Sequence, residues 1–183
     1  MSERTPLLVL GLGNVLLEDD GVGAAAVSLL LDRYEVPRGA QVLDGGTLGL
    51  SLLPYLDAAD AVILVDAVKI EGPPGTFVRL TDDEVAPAVA TRLSPHQVGV
   101  ADLLDGARWL ERYPRSVVLL GLVPESMELS VGLSAHVRPA LPELVERIVG
   151  EARTLGFAFC PKRTDETSLR GRTVDVARLA GMR

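Results

Sequence analysis

Asp20, Asp66 and His96 are the residues of this chain whose types and positions best suit chemistry. Asp20 lies in Leu17-Glu18-Asp19-Asp20-Gly21-Val22-Gly23, behind the turn Gly11-Leu12-Gly13-Asn14 that follows a first apolar run. Asp66 ends another apolar run, and His96 stands in Ser94-Pro95-His96, in a loop. Ligands of open α/β sheets sit outside the carboxyl ends of the strands, so residues arriving there from separate stretches can converge. Two carboxylates and one imidazole, with no thiolate, suit a borderline divalent cation such as nickel, zinc, manganese or cobalt. Three protein ligands also leave positions open for water or a substrate group. Each residue has a plainer reading: Asp20 as a helix cap, Asp66 as a solvated strand-end acid, His96 as a loop histidine bonded to backbone. The residue types alone leave both readings open.

Other chemistries fare worse. Gly11-x-Gly13 suggests a dinucleotide site, and Asp44 resembles a ribose-binding acid, but the third glycine of the fingerprint is replaced by Leu16. Glu18, Asp19 and Asp20 moreover occupy the helix start, where free N–H groups and the helix dipole would otherwise draw an anion; carboxylates there repel a pyrophosphate. No Gly-x-Ser-x-Gly elbow is present. Cys160 has no histidine near it in sequence and reads as inert, and His136 reads as a surface or capping residue. A pair of aspartates sharing a proton is a further option that spacing cannot decide.

The elements that must position these residues alternate between apolar runs and helical patterns, which indicates an α/β fold. Leu7–Leu10 and Ala61–Val65 are continuously apolar, as strands buried on both faces should be. A helix is expected from Asp20 to Tyr34, a strand over 41–43 that ends in Asp44-Gly45-Gly46-Thr47, and a second helix over 48–56. The link from Val68 to Thr76 is too short for a parallel crossover, so the strand over 76–80 is expected to run antiparallel at a sheet edge. A helix over 99–112, a strand over 116–122 and a closing helix over 134–155, capped by Ser134, complete the body.

Composition bounds the rest. The 183 residues suit one domain, and 48% hydrophobic with 4% aromatic residues implies an aliphatic core. A net charge of −7 argues against general nucleic-acid binding. No apolar run is long enough to span a membrane, and no secretory leader is evident, so a cytoplasmic protein is expected. From Pro161 onward six basic and three acidic residues make a +3 tail, leaving −10 on residues 1–160. The expected division is a single domain over 1–160 and a flexible basic tail over 161–183.

Taken together, Gly11–Leu17, Asp19–Gly23, Asp44–Thr47, Val65-Asp66-Ala67, Ser94-Pro95-His96-Gln97-Val98-Gly99 and Gly121-Leu122-Val123-Pro124-Glu125-Ser126 resemble the [NiFe] hydrogenase maturation endopeptidases over residues 7–157. The resemblance implies a three-layer α/β/α sandwich with a mixed five-stranded sheet and one antiparallel edge strand. It also implies an enzyme that removes a carboxy-terminal extension from the hydrogenase large-subunit precursor once nickel is inserted. Asp20, Asp66 and His96 would then contact nickel borne by the substrate, with no organic cofactor. Relatives often carry glutamate at the first position, where Asp20 is one methylene shorter. Asp44-Gly45-Gly46-Thr47 is a candidate for holding the extended substrate segment, since glycines let another backbone approach closely. The competing expectations are a non-catalytic nickel-sensing docking protein for the precursor and a nucleotide-binding α/β enzyme.

Overall fold

The continuous apolar runs become the central strands of a five-stranded sheet. The computed structural model describes residues 5–85, 98–110 and 113–163. Strands β1 (Thr5–Leu12), β3 (Ala40–Gly46), β4 (Ala59–Ala67) and β6 (Ser116–Leu122) run parallel. Strand β5 (Phe77–Thr81) lies antiparallel on β6 at the edge, giving the order β3-β1-β4-β6-β5. The short link before β5 forced that reversal, as expected.

Side chains alternate along each strand, so the two faces feed two cores. Leu7, Val9, Ile63 and Val65 pack with helices α1 (Val22–Arg33) and α4 (Leu141–Thr154). Leu8, Leu10, Val62 and Leu64 face helices α2 (Leu53–Ala58) and α3 (Val98–Trp109). The result is the expected three-layer α/β/α sandwich. Its buried hydrophobic residues among those described are almost all aliphatic, with Tyr34 and Phe159 the aromatic members.

Four local features differ from expectation. The acidic run forms a separate 3₁₀ turn, Glu18–Gly21, and α1 starts only at Val22. The segment after β3 is also split, into a 3₁₀ turn over Gly49–Leu52 and the short α2. The closing helix does not start at Ser134: a 3₁₀ turn covers Arg138–Ala140 and α4 begins at Leu141. Pro139 and Pro142 each stand in a first turn, where a missing N–H costs nothing. Ser134 instead closes the turn before them, its Oγ accepting the Val137 N–H. Finally, strand β2 (Tyr34–Glu35) pairs with β7 (Cys160–Pro161) in a small antiparallel ladder that two residues per strand do not announce. The Lys162 N–H continues it onto the Arg33 carbonyl at 2.7 Å, so the packed chain runs past Cys160. Tail residues 164–183 lie outside the described residues.

The topology opens one crevice. The chain leaves β1 toward β3 on one side and leaves β4 toward β6 and β5 on the other. Where successive connections diverge, the carboxyl ends of the two strands are left uncovered, and this is where open sheets bind ligands.

Candidate functional site at the β1–β4 crevice

The loop that leaves β1 folds tightly back on itself. Gly13 has φ 109°, and a Cβ there would stand 1.7 Å from the Asp20 carbonyl oxygen, so only glycine fits. Asn14 N–H donates to Asp20 Oδ2 at 2.7 Å and Asp20 N–H donates to the Leu17 carbonyl at 2.9 Å. Asp20 is thereby 2% exposed. It is not a helix cap: the residue preceding α1 is Gly21, and no side chain caps that end. The start of α1 is pressed into the crevice at Gly23, where a Cβ would lie 2.3 Å from the carbonyl oxygens of both Leu12 and Val65.

Asp66 arrives from the neighbouring strand, opposite Gly121 of β6. It is 1% exposed, so it is not the solvated strand-end acid of the plainer reading. Its Oδ1 accepts the Ala67 N–H at 2.7 Å. Alternation puts it on the Val62 and Leu64 side, which α2 and α3 cover. The 3₁₀ turn bearing Asp20 packs against β4, so both aspartates come to the carboxyl edge of the same strand pair. Each aspartate has further interaction partners as well. Burying two carboxylates at one strand junction is costly unless N–H donors or a cation meet them.

His96 lies outside the described residues. Helix α3 begins two residues later, at Val98, and ends at Trp109 before β6 starts beside the beginning of β4. Its first turn is therefore directed toward the carboxyl edge of the sheet. Among the described residues, no three His, Cys, Asp or Glu side chains are grouped so as to hold a metal ion.

Asp44 is exposed and its Oδ1 accepts the Gly46 N–H at 3.0 Å, holding the Asp44–Thr47 turn. The Gly13 N–H donates to the Gly46 carbonyl at 3.1 Å, which ties that turn to the loop containing Asp20. Gly45 is buried against Leu10 and Leu52, while Thr47 is exposed.

One residue of this region was missed by sequence reasoning. Asp19 is fully buried and accepts three backbone N–H bonds: Glu125 and Ser126 on Oδ2, at 2.9 and 3.2 Å, and Ser134 on Oδ1 at 2.8 Å. It fastens the loop after β6 to the loop after β1. Its partners are 106 to 115 residues away, so no local pattern signals them. The neighbouring Glu125 accepts from His136 Nδ1 at 2.8 Å, and that bond holds its carboxyl below the ordinary range. His136 is thus the surface residue expected.

Similar proteins share this arrangement of elements. The family model for hydrogenase maturation proteases matches residues 24–151. The Hydrogenase 2 maturation protease of Escherichia coli K12 is 37% identical over 157 residues, covering 85% of this chain and 96% of that protein. The solved structure of the hydrogenase maturating endopeptidase HybD from E. coli superposes with a TM-score of 0.82 at 37% identity, covering 86% of this chain and 98% of that one. The [NiFe] hydrogenase maturation protease HybD from Thermococcus kodakarensis gives 0.65 at 26% identity, over 80% and 99% of the two chains.

Proposed function

The chain belongs to the hydrogenase maturation protease family and is a peptidase, and from that premise we propose that it removes the carboxy-terminal extension of a [NiFe] hydrogenase large-subunit precursor after nickel insertion. The observation that carries the proposal is the pair of buried aspartates, Asp20 and Asp66, at the carboxyl edge of β1 and β4. In this reading Asp20, Asp66 and His96 contact the nickel carried by the precursor. The metal is substrate cargo, and the chain needs no organic cofactor. Contact with nickel then serves as the licence for cleavage: a precursor without the metal offers these carboxylates nothing to hold.

Peptide hydrolysis requires a base for the attacking water, charge stabilisation for the oxyanion, and a proton for the departing amine. A carboxylate at this edge takes the water proton. Nickel held against it supplies positive charge to the carbonyl oxygen. The same carboxyl group can return its proton to the amine, leaving the carboxylate as it began. The Asp44-Gly45-Gly46-Thr47 turn, tied to the Gly13 backbone, is the proposed support for the extended substrate segment. Among the described residues no helix is long and apolar enough to cross a membrane. The cytoplasm is the proposed compartment, and with a net charge of −7 no nucleic-acid partner is proposed.

The test incubates the purified protein with nickel-loaded and nickel-free precursor and follows the carboxy terminus by mass spectrometry. Shortening of the loaded form alone is expected. Equal shortening of both would remove the nickel licence, and shortening of neither would remove the substrate assignment.

A further inference from the structure

The chain's single tryptophan is on the surface. Trp109, the last residue of α3, is 91% exposed, and Leu110 after it is 55% exposed. Asp102 and Asp105 stand seven and four residues before Trp109, so the three share one stripe of the helix, and both aspartates are exposed. Arg108 draws the 3₁₀ turn Asp82–Glu84 alongside. Its Nη2 lies 3.2 Å from Asp83 Oδ1, its Nη1 lies 3.9 Å from Asp105 Oδ1, and its guanidinium sits 4.8 Å over the Tyr113 ring. Helix α3 and that turn together hold Asp82, Asp83, Glu84, Asp102 and Asp105 against Arg108 alone. On the other flank Gly106 faces Leu53 of α2, and Tyr55 of the same helix is exposed as well. An exposed aromatic ring set among acids fits a partner that is both apolar and basic.

The sequence itself holds such a segment. Residues 1–160 carry −10, whereas those from Pro161 onward carry +3. Over 170–183, Arg170, Arg172, Arg178 and Arg183 outnumber Asp175 and are interspersed with Val174, Val176, Leu179 and Met182. We propose that residues 170–182 dock on the α3 stripe of their own molecule. One arginine covers the Trp109 ring, the aliphatic side chains meet Trp109 and Leu110, and Asp102 and Asp105 are the counter-charges. The path is short enough. The Lys162 N–H is fixed to the Arg33 carbonyl, where α1 has returned to the amino ends of the strands before β3 begins. Helix α3 ends at the same edge of the sheet, ahead of β6. The stretch from Lys162 to Val174 can extend to about 40 Å, at roughly 3.3 Å per residue. The layers it must round are only about 10 Å apart. Tryptophan is the best ring for an arginine cation, and attraction between exposed charges reaches about 8 Å at physiological salt. The docked segment lies at the amino edge and leaves the β1–β4 crevice open.

Because Trp109 is the sole tryptophan, its fluorescence reads this one spot in the full chain. With Arg170→Glu, Arg172→Glu and Arg178→Glu combined, acrylamide quenching is expected to rise about threefold and emission to move to the red, as for a ring that has lost its cover. High salt should raise quenching of the unaltered protein in the same direction. Asp102→Lys with Asp105→Lys should expose Trp109 to a similar degree, with far-UV circular dichroism showing that the helix is kept. Joining the two charge reversals in one chain should restore at least half of the protection, which only direct contact between tail and stripe explains. Equal quenching in the unaltered protein and the tail variant overturns the docking, and so does failure of the joined reversal to restore protection. Protection that appears only as protein concentration rises places the tail of a second copy on the stripe and overturns the intramolecular contact.

Discussion

The β5 edge of the sheet and the crevice between β1 and β4 treat charge in opposite ways. At the β5 edge, Arg79 meets Glu151 of α4 through a bidentate pair, with both N–H···O distances 2.9 Å. Arg147 lies 4.2 Å over the Phe77 ring on the same surface. Charged groups there are partnered by one another and cover apolar ground with their stems, as surface residues ordinarily do. At the β1–β4 crevice the pattern is reversed: Asp19, Asp20 and Asp66 are buried while Leu129 and Val131 face water. An apolar residue on the surface is common, but buried carboxylates beside an exposed apolar rim are not what stability alone selects. The β5 edge is built for the fold. The crevice buries acid groups and leaves apolar side chains to water, the arrangement of a surface that meets another molecule.

The sharpest way to break this contrast is Asp66→Asn. The amide keeps the volume and can still accept the Ala67 N–H, so the fold should survive with little change in melting temperature. Loss of the carboxylate should slow precursor processing by about a thousandfold, the middle of the range for losing a general base. Rates within a few-fold of the unaltered enzyme would make the crevice as structural as the β5 edge.

Asp19→Ala sharpens the contrast inside the crevice itself, between adjacent aspartates. Three buried N–H groups lose a charged acceptor at once, and each such bond is worth on the order of 1–3 kcal/mol. A stability loss of about 3 kcal/mol is expected by urea denaturation, seen as a lower midpoint at unchanged slope. Asp20→Asn should cost less stability but more activity. The reverse ranking would exchange the roles of the two residues.

That division of labour shows what could be read from the chain and what could not. β1, β4 and β6 are legible because strands covered on both faces must be continuously apolar, and β5 is legible because the link before it is short. The acidic run Glu18-Asp19-Asp20 is legible as unusual, yet not as three different environments. Its geometry depends on a left-handed Glu18 and on a glycine at 13 that accommodates the Asp20 carbonyl, and both are tertiary outcomes. The Ser134 start assigned to the last helix failed for a related reason. The Ser134 N–H is taken by Asp19, and its hydroxyl serves a local turn rather than a helix cap.

A smaller effect comes from the β5 edge. Glu151→Gln removes the bidentate partner of Arg79, whose guanidinium that bond otherwise holds above its ordinary basicity. Arg79 is about half exposed, so solvent screens much of the attraction. A loss of about 0.5–1 kcal/mol is expected in low salt, shrinking further at high ionic strength, with processing unchanged. Thermal melts at two salt concentrations, run alongside the precursor assay, measure both. A processing defect here would mean that catalysis reaches from the crevice to the β5 edge and that the two regions are not independent.

The smallest expected effect concerns Glu125, the exposed acid that borders the crevice. The His136 bond is the main cause of its lowered carboxyl pKa, with burial opposing it. A carboxyl group whose folded value lies below its unfolded value stabilises the folded state fully above the unfolded value, here 4.5. The contribution fades as pH falls through the lower folded value, because the proton then binds both states. Glu125→Gln should therefore flatten the acid limb of the stability curve below about pH 4.5 and leave the neutral region nearly untouched. The Asp19 bond to the Glu125 N–H is made by backbone and survives the substitution, so the loop stays in place. Urea midpoints taken at intervals from pH 7 down to the acid transition give the curve. An acid limb identical to that of the unaltered protein would show that the exposed pair is energetically silent, and would leave the backbone clamp from Asp19 as the crevice's main hold on the loop after β6.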